Sequence, residues 1–136
     1  MLTESDVRAV YAAGGRLVVA PNFDPAVATA VAETGLAYGP GVFTPSEAFA
    51  ALAAGANFLK LFPAELIQPS GVRALKVVMP GTVRLLPVGG ITPAGMAPYL
   101  AAGAAGFGLG SALCRPGQTP IETGARARAF VTALTE

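Results

Sequence analysis

Short apolar runs alternate with longer segments of helical periodicity along the whole chain. The apolar runs predict five β-strands, at residues 17–20, 37–42, 58–62, 85–88 and 106–109. Alanine-rich segments with charges on one face predict helices at roughly residues 3–13, 25–34, 45–54, 70–79, 93–102 and 119–135. This alternation predicts an α/β chain with a parallel sheet, and strands recurring roughly every 20 to 25 residues favour a (β/α)8 barrel over a Rossmann domain.

The same capping pattern follows three of these strands. The segments NFDP, VFTP and GITP each end an apolar run with a polar residue and then proline. Proline is tolerated at the first helical position, because the amide that it lacks has no partner there. Asp24, Thr44 and Thr92 are therefore predicted helix N-caps, and Glu47 is predicted to complete a capping box with Thr44. Each segment marks a loop from a strand to a helix.

Composition limits the class of protein. At 136 residues the chain fits a single domain, residues 1–136, and its 12% charged residues with a net charge of +1 provide no patch for nucleic acid or acidic lipid. Residues 85–114 carry no charge, but their prolines and glycines interrupt any helix that could span a membrane. The N-terminus MLTESDVRAV lacks the apolar region of a secretory signal, so a cytoplasmic location is expected.

The residue types that are missing narrow the chemistry further. The sequence contains no histidine, and Cys114 is its only cysteine. Disulfides, tetrahedral zinc sites and histidine-dependent triads are therefore excluded, and we expect neither a metal nor a cofactor. Lysine, carboxylates, hydroxyls and backbone amides remain as the functional groups.

Lys60 interrupts the apolar run of the segment GANFLKLFPAE. Alternation along a strand sets Phe58, Lys60 and Phe62 on one face, which in an α/β barrel points into the packed centre. Lost hydration there favours the neutral amine, which can attack a ketone and form a Schiff base. The alternative is a strand-end lysine whose ammonium group reaches solvent. The other lysine, Lys76, is predicted to lie on the solvated face of a helix.

Two glycine-rich strand ends form a second candidate site. In PVGGI, Gly89 and Gly90 allow close backbone approach to a ligand, and in GLGSAL, Gly110 and Ser111 offer amides and a hydroxyl at the expected start of the next helix. The loops after the last two strands of barrel enzymes commonly hold phosphate. The alternative is that the glycines only permit tight loops. Glu65 could act as a base through water, or be solvated or cap the following segment.

Five segments together resemble a known enzyme family: LVVAPN, YGPGVFTPSEAF, GANFLKLFPAE, LLPVGGITPAGM and GAAGFGLGSALC. They resemble class I aldolases that act on 2-keto-3-deoxy-6-phosphogluconate and 2-keto-3-deoxy-6-phosphogalactonate. The resemblance implies that Lys60 forms the Schiff base with pyruvate. It also implies that Phe62 and Pro63 shape the pocket, that Pro21 lies at its rim, and that the substrate phosphate is held by Gly89, Gly90, Gly110 and Ser111. It suggests a homotrimer.

The chain departs from that family in two places. Val88 stands where the phosphogluconate enzymes usually have threonine, which favours the phosphogalactonate substrate. The five strands correspond to strands four to eight of the family's barrel, so a partial TIM barrel is expected. The absent units one to three would carry an arginine, the acid–base glutamate and a threonine.

Met1 aligns where a G-A-G-T-V motif would end, so a misassigned start codon and a truncation are both open hypotheses. The expected function is therefore a Schiff-base lyase with very low turnover. A non-catalytic phosphate-binding half-barrel, and another phosphate-binding barrel enzyme such as an isomerase or a thiamine-phosphate-synthase-like transferase, are the alternatives.

Overall fold

The computed structural model describes residues 2–135, so the expectation made for Met1 lies outside the described residues. The helices are α1 Glu4–Ala12, α2 Pro25–Thr34, α3 Pro45–Ala53, α4 Ala64–Val78, α5 Met96–Ala101 and α6 Pro120–Thr135, with a short 3-10 helix at Pro93–Gly95. The strands are β1 Leu17–Val19, β2 Ala37–Gly39, β3 Gly41–Val42, β4 Leu59–Leu61 and β5 Leu85–Pro87. Within residues 2–135, no helix is long and apolar enough to cross a membrane.

The described strands form two parallel sheets, with the orders β1-β2 and β3-β4-β5. A helix lies between the two strands of each pair along the chain, because parallel neighbours need a crossover connection. The prediction of an α/β chain with parallel sheets is therefore confirmed.

The predicted strand 37–42 is interrupted at Pro40, which divides it into β2 and β3. Proline has no amide hydrogen and cannot donate to a strand ladder. The carbonyl of Pro40 still accepts a hydrogen bond of 3.0 Å from the amide of Lys60. Asn57 joins the two sheets, since its side-chain oxygen accepts from the amide of Tyr38 at 2.7 Å and its own amide donates to the carbonyl of Tyr38.

The prediction of a strand at 106–109 is wrong, because this segment makes only one isolated parallel bridge, between Val88 and Gly108. Its two glycines weaken extended structure, since they supply no side chains to pack and lose the most backbone entropy. The predicted helix 93–102 is also modified, because it begins as a 3-10 turn before it continues as α5.

The predicted caps are confirmed. The carboxylate of Asp24 accepts from the amides of Ala26 and Val27 at 2.8 and 3.1 Å. Thr44 and Glu47 form the expected capping box. The hydroxyl of Thr92 accepts from an amide of the 3-10 turn at 3.2 Å. Each helix start after these strands is thus set by bonds between residues close in sequence.

The main core lies between the strands and the helices. Leu59, Leu61 and Leu85 are fully buried there and pack against residues of α3 and α4. The opposite face of the strands is more open, and on it Leu17 is 47% and Val19 41% exposed. The candidate chemistry lies on this open face.

Helix α4 begins earlier than the predicted 70–79 and is broken at Gln68, which has a φ of 56° and a ψ of 169°. Only glycine adopts this backbone region readily, and other residues lose about 1 to 3 kcal/mol there. Pro69 follows, and a residue before proline is disfavoured in the helical region. The break separates the turn that carries Glu65 from the rest of α4.

Replacing Gln68 with glycine is expected to raise the free energy of unfolding by about 1 kcal/mol, because the relief of strain exceeds the added entropy of the unfolded chain. Urea denaturation measures this change. The control is Ala74→Gly, at an exposed helical position of α4, which is expected to lower the free energy by about 1 kcal/mol. If both variants lose stability equally, Gln68 is not strained.

Candidate active site

Lys60 lies on the open face of β4. The flanking Leu59 and Leu61 are buried on the helix side, and Lys60 points the other way, as strand alternation predicts. In the ladder, Lys60 stands between Gly41 of β3 and Leu86 of β5. The central position in this sheet fixes the backbone of Lys60 on both sides.

The amine of Lys60 contacts an aromatic ring and no carboxylate. Its Nζ atom lies 4.4 Å from the centroid of the Phe62 ring. Partial burial of the side chain lowers the pKa of Lys60 below its ordinary value of 10.5, because the charged form loses hydration. Among residues 2–135, no acidic group forms an ion pair with it. The site therefore shifts the amine toward its neutral, nucleophilic form.

Pro21 closely approaches the strand beside Lys60. The carbonyl group of Pro21 lies directly over the α-carbon of Gly41, where any larger residue would collide with it. Because Gly41 pairs with Lys60, the loop after β1 borders the lysine. On the same face, the ring of Phe58 occupies the space over Gly39.

A cavity of about 370 Å³ opens where the two glycine loops meet. We call it the glycine cavity; it is lined by Phe62, Val88, Gly89, Gly90, Ile91, Thr92, Gly108, Leu109, Gly110, Ser111, Ala112 and Arg115. The single bridge between Val88 and Gly108 holds its two loops side by side. A side chain at Gly108 would clash with Val88 at 2.5 Å, so glycine permits this close approach.

Backbone donors line the glycine cavity. Within residues 2–135, the amides of Gly90, Gly110 and Ser111 donate to no other protein group. Gly90 has a φ of 62°, a conformation that favours glycine and turns the loop sharply. Free backbone amides in loops around a concavity are available as hydrogen-bond donors to an anion.

Gly110 and Ser111 do not begin a helix, which corrects the expectation from the sequence. They lie in a turn closed by bonds from the amides of Leu113 and Cys114 to the carbonyl of Gly110, and the next helix, α6, begins at Pro120. Pro116 lies two residues beyond this turn and would remove an interior hydrogen bond from any helix continuing through it.

Glu65 lies against the first glycine loop. An atom placed at the β-carbon position of Gly89 would be 2.5 Å from Oε2 of Glu65, and one on Gly90 would meet the same side chain. Glu65 is exposed and forms no cap hydrogen bond with α4. Its carboxylate therefore adds negative charge beside the glycine cavity.

Arg115 is a lining residue that the sequence reasoning missed. Its Nε atom donates to the carbonyl of Ser111 at 2.7 Å. It is the one ionisable side chain that lines the glycine cavity within the described part of the chain. The signal available in the sequence was an arginine four residues after the Gly-Ser pair.

The structure brings most of the sequence-derived site residues together. Phe62 and the four loop residues Gly89, Gly90, Gly110 and Ser111 share the glycine cavity, and Lys60 reaches it through Phe62. Pro63 follows Phe62 through a cis peptide bond but does not line the cavity, and Pro21 borders Lys60 through Gly41. Between residues 2 and 135, no cluster of three or more acidic or cysteine side chains is arranged to hold a metal ion.

Lys76 differs from its prediction, since it is half-buried and not on a solvated face. Its amine donates to the carbonyls of Gly81 and Val83 at 3.2 and 2.8 Å. It therefore stabilises the loop between α4 and β5, and it does not line the glycine cavity.

A family model and the sequences of curated relatives identify the family of this chain. A model of the family described as "Aldolase: KDPG and KHG aldolase" matches residues 1–125. The chain is 45% identical over 133 residues to the probable 2-dehydro-3-deoxy-6-phosphogalactonate aldolase of Rhizobium meliloti, covering 98% of this chain and 63% of that protein.

Solved structures give the same result. One described as native KDPGal superposes with a TM-score of 0.97 at 41% identity, covering 99% of this chain and 66% of the other. A KDPG aldolase from Legionella pneumophila, described with pyruvate captured as a covalent carbinolamine intermediate, superposes with a TM-score of 0.75 at 26% identity, covering 97% and 62%. The chain thus spans a little under two thirds of the length of these relatives.

Proposed function

Because the chain belongs to the KDPG and KHG aldolase family, we propose that it carries the Schiff-base half of a lyase of carbohydrate metabolism, with Lys60 as the nucleophile. The proposal rests on one observation: Nζ of Lys60 contacts the ring of Phe62, and Phe62 lines the glycine cavity. An amine and a set of anion-binding amides thereby share one site. The covalent pyruvate described for the Legionella relative supports the same chemistry here.

The reaction uses the amine as an electron sink. Neutral Lys60 adds to the C2 ketone of the keto acid, and uptake of a proton from solvent with loss of water gives an iminium ion. Cleavage of the bond between C3 and C4 moves its electron pair into the iminium, while the C4 hydroxyl gives up its proton and becomes an aldehyde. The resulting enamine takes a proton at C3, and hydrolysis releases pyruvate and restores the lysine.

The substrate we favour is 2-keto-3-deoxy-6-phosphogalactonate, cleaved to pyruvate and glyceraldehyde 3-phosphate. Val88 and the 45% identity to a phosphogalactonate enzyme support it over the phosphogluconate epimer. The substrate phosphate binds in the glycine cavity, where Gly89, Gly90, Gly110 and Ser111 supply amides and a hydroxyl. Phe62 and Pro63 shape the pocket of the reacting carbons, and Pro21 forms its rim.

The architecture that we propose is part of a TIM barrel, formed by residues 1–136 as one domain. The superposition on native KDPGal over 99% of this chain supports it. The strands correspond to strands four to eight of the barrel, with the open face of β4 directed to its interior. A cytoplasmic location and association into trimers stay predictions.

We expect slow turnover from residues 1–136 alone. Cleavage needs a base for the C4 hydroxyl and an acid for C3. Within residues 2–135, Lys60 has no carboxylate partner, and Glu65 lies beside the phosphate loop. Schiff-base formation needs only the amine and the ketone, so it should proceed further than release of aldehyde.

Borohydride trapping tests the proposal. Incubation of the chain with pyruvate and borohydride is expected to give a reduced pyruvate adduct on Lys60, identified by peptide mass spectrometry, whereas lactate, which lacks the ketone, gives none. The trapping rate should rise with pH to a midpoint below 10.5, because desolvation lowers the pKa of Lys60 and the neutral amine attacks. A folded chain that binds phosphate but forms no adduct would instead be a phosphate-binding module.

A further inference from the structure

We infer that Arg115 is the specificity residue that selects a phosphorylated substrate over its unphosphorylated counterpart. This inference rests on the proposed function, because it assigns the charge recognition of the same site. The glycine loops supply neutral donors, which hold any oxyanion or hydroxyl. A dianionic phosphate monoester is distinguished from a neutral hydroxyl by a cation.

The position of Arg115 suits this role. Its Nε atom is fixed on the carbonyl of Ser111 at 2.7 Å, within one of the two loops that line the glycine cavity. Its terminal nitrogens form no hydrogen bond or ion pair with residues 2–135. A guanidinium held through Nε keeps two terminal nitrogens in a fixed plane, which is the geometry that binds a phosphate through two oxygens.

The charges around the cavity favour the participation of a cation. The carboxylate of Glu65 lies against Gly89 and Gly90 and repels an anion at that loop. Among the lining residues, Arg115 alone can offset this repulsion. Neutral amides beside an uncompensated carboxylate would favour a hydroxyl over a dianion.

Arg126 provides a matched control. It donates to the carbonyl of Ala112, in the same turn, at 3.3 Å. It lines a neighbouring cavity of about 240 Å³ together with Arg115, but it does not line the glycine cavity. Its charge acts on Glu122, whose pKa is lowered mainly by hydrogen bonds from Thr119, with a further contribution from Arg126. Loss of Arg126 removes the same charge from the same region without removing a residue that lines the glycine cavity.

The experiment compares the wild type with Arg115→Gln, Arg115→Lys and Arg126→Gln. Binding of inorganic phosphate is measured by calorimetry, and the pyruvate adduct on Lys60 is measured in parallel. Arg115→Gln should weaken phosphate binding by about 10- to 100-fold, as expected for a lost charge-assisted hydrogen bond. Arg115→Lys should recover part of it through charge alone, and Arg126→Gln should change it less than about threefold. The pyruvate adduct should form equally in all four proteins.

The two proposals fail separately. Equal phosphate affinity in the wild type and Arg115→Gln overturns the role of Arg115. An Arg126→Gln variant that loses as much phosphate affinity as Arg115→Gln overturns it as well. Phosphate binding that depends on Arg115 without a pyruvate adduct in the wild type supports the role of Arg115 and overturns the lyase chemistry. If circular dichroism shows that Arg115→Gln is unfolded, Arg115→Lys decides. Phosphate affinity equal to that of the wild type would show that the charge of Arg115 acts and not its fork geometry. A folded Arg115→Lys variant that binds no phosphate would overturn the inference.

Discussion

Replacing Lys60 with methionine is expected to abolish the pyruvate adduct, with trapping below about one thousandth of the wild-type rate. Methionine keeps the length of the side chain on the open face of β4, and it removes only the nucleophile. The fold should survive, because an amine that burial has partly desolvated is exchanged for an apolar group. Trapping with radiolabelled or isotopically labelled pyruvate measures the loss, and a thermal melt verifies the fold.

The control for this prediction is Lys76→Arg. Arginine preserves a donor to the carbonyls of Gly81 and Val83, so the loop between α4 and β5 stays fastened. Its adduct yield should equal that of the wild type, since Lys76 lies outside the glycine cavity. If Lys60→Met retains the adduct while Lys76→Arg loses it, the nucleophile has been assigned to the wrong lysine.

A second large effect is expected at Gly41. An alanine there would set its β-carbon inside the van der Waals radii of the carbonyl carbon and oxygen of Pro21. Both sides of this contact are backbone, so neither can move aside as a side chain would. Overpacking usually costs about 1 to 3 kcal/mol, and the rigidity of this junction should bring the loss above about 3 kcal/mol. Urea denaturation measures it.

Gly81→Ala is the control for this effect. No atom lies within 4 Å of the position of its β-carbon, and its backbone does not require glycine. Its free energy of unfolding should change by less than about 0.5 kcal/mol. Gly41→Ala should also reduce adduct formation, because Gly41 pairs with Lys60 in the ladder. A Gly41→Ala variant as stable as Gly81→Ala would mean that Pro21 does not border the lysine.

Much of the fold follows from local sequence rules. Asp24, Thr44 and Thr92 cap their helices as predicted, because each cap is satisfied within three residues along the chain. Alternation correctly assigns Lys60 to the face opposite Leu59 and Leu61, since the period of two is a property of the extended backbone. The predicted strand 37–42 missed the break at Pro40, although proline cannot donate to a ladder.

The site was less accessible to sequence reasoning, because its parts meet only in three dimensions. Glu65 contacts Gly89 and Gly90 through the strained turn that ends at Gln68, and no local pattern predicts that contact. In the sequence, Arg115 cannot be distinguished from any other surface cation. Its place at the glycine cavity depends on the bridge between Val88 and Gly108, which brings the two loops together. Spacing alone identified the glycines, but not the charges beside them.

The cap at Thr92 has a consequence for protein engineering. The loop of the first glycine pair is anchored before it by Pro87, paired with Leu61 in the ladder, and after it by the hydroxyl of Thr92. Both anchors lie outside the glycine pair, whereas Val88 is tied to Gly108 and Ile91 is buried in the core. An engineered change of ligand preference therefore has to keep Val88 and Ile91 and to vary Gly89 and Gly90 together with Glu65, whose side chain lies against them.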